Sequence, residues 1–216
     1  MKPALGVLEI SALGAALVIL DEIDKAAPIR LLQAELNDYY GYVIKIVGEP
    51  AALCAAIEAG RARAERMQAR CVTTIINAPD DKAWQAIESP PEYQPLLEQE
   101  VVFYPRSTPS TDRPDPTQPG VLSMSEQPSF AIGLIETQGF TAVIEAIDTA
   151  CKAANVEVLG KEKLGGGYVT VLIKGDVAAV SSAIEAGKAR VNGLGNLIAA
   201  HVIPRPSAAV LSLLPE

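Results

Sequence analysis

The chain has 216 residues, 49% of them hydrophobic and 20% charged, with a formal net charge of −8. That length suits one or two domains of about 100–200 residues each, the composition is globular, and the acidic balance argues against a nucleic-acid binder, which needs a basic patch or stripe. No apolar run approaches the roughly 18 residues of a membrane span and the first residues show no signal-peptide pattern, so the expectation is a cytoplasmic protein that binds neither nucleic acid nor membrane.

Residues 4–9 form a short apolar run of strand length. Residues 13–27 read as a helix that stops before Pro28, as a helix should. Strands are expected near 29–32 and 42–47, flanking the loop Asn37-Asp38-Tyr39-Tyr40-Gly41. Gly48-Glu49-Pro50 opens a second helix, with proline in the first turn, where its missing N–H does no harm. Cys71 falls near the start of a further strand, and 81–88 reads as one added helix. Residues 107–127 are rich in Pro, Ser, Thr and Asp, the composition of an exposed linker. They set the boundary between a first domain, 1–106, and a second, 128–216.

The second half is plainer. Residues 131–136 form an apolar strand, and Phe140, Val143, Ile144, Ile147, Cys151 and Ala154 then recur at the spacing of an amphipathic helix. Strands are expected over 156–159 and 168–174, the latter rich in β-branched and aromatic residues. Gly165-Gly166-Gly167 between them supplies a turn with free access to positive φ. Asp176 is placed to cap a helix over 177–190, and a strand over 197–203 is closed by Pro204 and Pro206. The order β-α-β-β-α-β is the ferredoxin-like arrangement, an α+β fold with an antiparallel sheet backed by two helices.

The two halves are copies. Ala4-Leu5-Gly6-Val7-Leu8-Glu9 returns as Ala131-Ile132-Gly133-Leu134-Ile135-Glu136, an offset of 127. The same offset carries Asp21 onto Asp148, Lys25-Ala26-Ala27 onto Lys152-Ala153-Ala154, and Ala56-Ile57-Glu58-Ala59-Gly60 onto Ala183-Ile184-Glu185-Ala186-Gly187. The period is far above the roughly 20–50 residues of stacked repeats, which excludes a solenoid. Around the first loop the register also fits an offset of 126, since Gly41-Tyr42-Val43 matches Gly167-Tyr168-Val169.

Four segments of the second copy resemble bacterial microcompartment shell domains, in the family's order: residues 131–137, residues 148–156, Lys163-Leu164-Gly165-Gly166-Gly167, and His201-Val202-Ile203-Pro204-Arg205-Pro206. The first copy resembles the family more loosely, through residues 4–9, Lys25-Ala26-Ala27 and Glu58-Ala59-Gly60. Both copies begin at the opening strand, so the resemblance is to the non-permuted tandem type. It implies a homotrimer whose six domains imitate a hexamer, tiling a shell with other shell proteins around a central pore for small metabolites. It also implies residue roles. Lys152 resembles the lysine with which tiles meet at their edges, with Asn155 and Arg205 as its companions. The first copy keeps Lys25 but has Pro28 and Ala78 at the companion positions. Lys163, Leu164, Gly165, Gly166 and Gly167 resemble the pore loop, with Asn37, Asp38, Tyr39 and Tyr40 as its first-copy counterpart. Read without the resemblance, Lys25 and Lys152 are helix-end lysines that favour the C-terminal dipole, the glycines a common hairpin, Asp38 a turn former, and the tyrosines packing residues. Three Asp38 carboxylates around one channel would favour cations.

Nothing in the sequence points to catalysis. Some tandem shell proteins hold an iron–sulfur cluster through a pore-loop cysteine, and clusters need thiolates; neither loop here contains Cys, and no cofactor is expected. Cys54, Cys71 and Cys151 show no disulfide or metal spacing and are expected to be buried small hydrophobes. His201, the only histidine, has no companion base or nucleophile in view. Glu9, Glu136, Glu58 and Glu185 repeat between copies, which suits duplicated packing and capping better than acid–base work. The alternative is a ferredoxin-like small-molecule-binding regulatory protein with ligand-gripping basic residues between subunits. Arg61, Arg63, Arg66 and Arg70 fit a solvated helix face instead.

Overall fold

The computed structural model describes residues 3–37, 41–106 and 129–215. The linker expected at 107–127 and the loop residues Asp38, Tyr39 and Tyr40 lie outside the described residues. The first copy comprises β1 (Ala4–Ser11), α1 (Leu13–Ala26), β2 (Arg30–Asn37), β3 (Gly41–Gly48), α2 (Pro50–Met67) and β4 (Cys71–Ile76). An insert follows, with α3 (Trp84–Ile87), β5 (Tyr93–Gln94), β6 (Gln99–Glu100) and β7 (Val102–Phe103). The second copy comprises β8 (Ala131–Gln138), α4 (Phe140–Ala153), β9 (Glu157–Gly165), β10 (Tyr168–Gly175), α5 (Val177–Arg190) and β11 (Asn196–Ile203), and then α6 (Ala208–Leu211).

The sheets are antiparallel, in the order β4-β1-β3-β2-β7 for the first copy and β11-β8-β10-β9 for the second. Duplication extends to the pairing register: Ala4 faces Gly48 across β1 and β3, and Ala131 faces Gly175 across β8 and β10. The expected ferredoxin-like α+β architecture is present in both copies.

Strands β2 and β9 run well beyond the expected 29–32 and 156–159. Their far halves carry Gln33, Glu35, Lys161, Glu162 and Lys163, which blur the apolar pattern but do not stop pairing down to the hairpin. The added helix shrinks to one turn, α3, because Trp84 anchors it: this side chain packs with Leu5, Leu32 and Val47 on the outer face of the first sheet. The cysteines also depart from expectation. Cys54 and Cys151 are exposed and Cys71 is half-buried, because on α2 and α4 the neighbouring Leu53 and Ala150 take the inward positions.

The helices α1 and α4 hold equivalent places but live differently. Residues 13–20 of α1 are all buried, as expected of a helix apolar all round. This helix lies between its own sheet and the second sheet, so one core joins Leu8, Ile44 and Leu53 of the first copy to Ile132, Leu134 and Leu172 of the second. Helix α4 is amphipathic, and packs one face with α5 over a separate core that includes Val143, Ala146 and Ile184.

Candidate functional site

The seam between the copies is where the structure concentrates buried polar chemistry. Ala12 stands at the N-cap of α1 with φ +79°, and its side chain offers no acceptor, so the first helical amides need a partner. Glu136 supplies it from β8 of the other copy. Its Oε2 accepts from the Gly14 N–H at 2.8 Å and its Oε1 from the Leu13 N–H at 3.3 Å. A carboxylate here also meets the positive end of the helix dipole. Burial pushes the Glu136 carboxyl above the usual range, against the pull of the two amides. Gly14 has no Cβ to intrude; one would lie 3.3 Å from Glu136 Oε2 and from Ala199 Cβ. His201 packs beside it, its pKa lowered by burial and then by Arg63.

The far end of α1 closes the seam. Asp21 Oδ1 accepts from the Ser207 N–H at 2.8 Å, and Asp24 Oδ2 from the Ala209 N–H at 3.2 Å. Lys25 Nζ donates to Asp21 Oδ2 at 2.7 Å and to the Arg205 carbonyl at 2.5 Å. The structure therefore brings Arg205 to Lys25 through its backbone. Lys152 and Asn155 stand apart at the end of α4, both exposed, with Lys152 Nζ 2.5 Å from Asp148 Oδ2.

The hairpin between β9 and β10 carries the residues expected to line a pore. Gly165, Gly166 and Gly167 have φ of +90°, +58° and +81°, a run of left-handed backbone that side chains resist. Nothing lies within 4 Å of where a Gly165 Cβ would stand, so conformation rather than crowding calls for glycine there. The Leu164 side chain is buried in the core, because it points to the covered face of β9, so within the single chain this position presents its backbone to the loop. Lys163 is tied down by the insert. Gln99 Nε2 donates to the Lys163 carbonyl at 2.7 Å, its Oε1 accepts from the Lys163 N–H at 3.0 Å, and Glu98 pairs with Nζ at 3.0 Å. The exposed part of the loop is glycine backbone. Between this hairpin and the insert lies an open cavity of about 510 Å³, lined in part by Glu35, Glu92, Leu96, Gly165 and Gly166. Across the first sheet, Asn37 donates from Nδ2 to Glu9 Oε1 at 2.7 Å.

Sequence reasoning missed Glu136 as the seam's central acceptor, and the signal was available: it and Glu9 are the same acidic interruption in two apolar strands. Gln99 gave no signal, because its partner is 64 positions away in a strand with no matching pattern. Among the described residues no group of His, Cys, Asp and Glu is placed to hold a metal, and no helix is long and apolar enough to cross a membrane.

Comparison with known proteins finds the BMC domain twice, over residues 4–79 and 131–206. Over 86 residues the chain is 50% identical to the bacterial microcompartment shell protein PduA of Citrobacter freundii, covering 40% of this chain and 92% of that one. It is 45% identical over 85 residues to the bacterial microcompartment shell protein EutM of Escherichia coli (strain K12), covering 39% and 88%. It is 43% identical over 94 residues to the major carboxysome shell protein CsoS1A of Halothiobacillus neapolitanus, covering 43% and 96%. A solved structure of a microcompartment protein from Desulfitobacterium hafniense matches 96% of this chain and 97% of its own at 24% identity, with a TM-score of 0.36.

Proposed function

Because the chain belongs to the BMC-domain family of bacterial microcompartment shell proteins, we propose that it is a tandem shell tile, three chains closing into a ring of six domains around a pore for small metabolites. One observation carries this reading: the copies meet head to tail. The α1 side of the first copy docks on the β8–β11 face of the second, so the seam uses two different surfaces of one repeated domain. A head-to-tail contact leaves one unused surface of each kind on every chain, and it makes a closed ring when the rotation allows. Three chains of two domains complete a pseudohexamer.

The roles of the loops and edges follow from that placement. Six hairpins converge on the axis, three of them the Lys163–Gly167 loop and three its counterpart at Asn37, Asp38, Tyr39 and Tyr40. The glycine hairpins offer backbone groups to the channel, while the Asp38 carboxylates set its charge preference for cations. Lys152, exposed at the end of α4 with Asn155, makes tile-edge contacts with other shell proteins, and Lys25 and Arg205 contribute at the alternate edges. The tile acts by assembly and permeability, without catalysis or cofactor.

Sedimentation equilibrium tests the ring. The expected particle has three times the chain mass of 22.7 kDa. A particle of one or two chains at all concentrations would overturn the reading.

A further inference from the structure

The in-chain seam is a template for the contact that a second copy of the chain would make. On α1, Leu13 and Leu17 are each 3% exposed beneath the second copy. The offset of 127 carries them to Phe140 and Ile144, which are 48% and 47% exposed. On the receiving side, Ile203 of β11 is 2% exposed and its counterpart Ile76 of β4 is 39% exposed. These three apolar groups that the seam covers thus have twins that are two-fifths to one-half exposed on the opposite surface, while Leu5, the twin of Ile132, is already covered by Trp84. The polar groups follow the same pattern. Gly139 caps α4 with φ +124° and no side-chain acceptor, as Ala12 caps α1. Glu9, twin of the buried Glu136, is half-buried on β1 with one oxygen on Asn37 Nδ2.

We propose that Glu9 receives the first amides of α4, those of Phe140 and Thr141, from the next copy of the chain, while Phe140 and Ile144 of that copy bury against the outer face of β1 and β4. The inference rests on the trimer reading and names its recognition residues. Where α1 has Gly14, α4 has Thr141, whose hydroxyl adds a donor on the Glu9 side. The same offset sets Lys152 against the Ala78 carbonyl, as Lys25 meets that of Arg205. Glu9 also joins assembly to permeation. The carboxylate that takes up the neighbouring helix already holds Asn37, the residue with which the first-copy loop begins. The second copy has no such tether, because Leu164 stands at that position.

The test is sedimentation equilibrium of the full chain as wild type, Glu9→Ala and Phe140→Glu, with Glu136→Ala as the in-chain control. Wild type should form trimers. Glu9→Ala should raise the trimer dissociation constant roughly tenfold or more, since each ring loses three sets of charge-assisted hydrogen bonds. Phe140→Glu should leave folded single chains, because that side chain is about half exposed before assembly and its neighbour over the ring, Lys161, can pair with a glutamate; circular dichroism can verify the fold. Glu136→Ala should lower the melting temperature of the chain itself. Trimers of wild-type strength from both Glu9→Ala and Phe140→Glu would overturn this inference and leave the ring standing. A wild type that never passes a single chain would overturn both.

Discussion

Glu162 offers a quantitative test of how the copies are joined. It lies on β9 in the seam, beside Tyr42, Phe103, Leu213 and Pro215, with Arg106 and Glu100 lining the adjoining cavity. Burial pushes its carboxyl from 4.5 up to about 7. The folded chain therefore holds a proton that the unfolded chain has already released between those values, and stability falls as pH rises through this window. With about 1.36 kcal/mol per unit of pKa, the loss attributable to Glu162 amounts to about 3 kcal/mol once the pH is well above 7. Glu162→Gln keeps the shape and removes the charge. In urea unfolding at fixed protein concentration, variant and wild type should match near pH 4.5, and the variant should gain to about 3 kcal/mol near pH 8. A difference that stays constant across this range would refute the claim that burial of the charged form is what Glu162 costs. The raised pKa of Glu136 acts in the same direction, so the variant should retain part of the slope.

Other substitutions probe separate parts of the account. At Gly187 a Cβ would lie 2.6 Å from Ile135 Cδ1 and 2.8 Å from the Ala146 carbonyl, so Gly187→Ala should destabilise by about 1–3 kcal/mol in thermal or urea unfolding. Gly60→Ala, 3.0 Å from the Ile23 and Leu8 methyls, should cost less, because side chains yield where a backbone carbonyl does not; the reverse order would contradict the packing. Lys45 is buried, bonding Gln33 Oε1 at 2.9 Å together with Glu35 and the Ile87 carbonyl, so Lys45→Ala should cost about 2–3 kcal/mol and expose the 84–103 insert to limited proteolysis. Asp38→Ala should weaken cation preference in planar-bilayer conductance while trimers form normally; loss of trimers would make the loop structural.

Much of this was legible in the chain because duplication writes each element twice. The helix over 177–190 appears at those bounds as Val177–Arg190, and Asp176 accepts the Ala179 N–H at 2.8 Å, as its capping position predicts. The repeated Glu-Ala-Gly proves to be close helix packing at Gly60 and Gly187. What the sequence obscured are features set by distant partners. Lys161, Glu162 and Lys163 read as the end of a strand, but β10 and Gln99 hold that segment extended. Cys54 and Cys151 read as apolar helix residues and stand at the surface, one position off the inward stripe. Residues 13–27 read as a helix with nothing to show that 13–20 would be buried on every side, whereas Phe140 and Ile144, on the apolar stripe of α4, stand about half exposed.

The most direct test of the shell-tile account is electron microscopy of the purified protein at high concentration and low salt. The account predicts plates of hexagonal outline with threefold symmetry and a central channel, packing edge to edge into sheets. A field of single chains or twofold dimers that never form a lattice would contradict it.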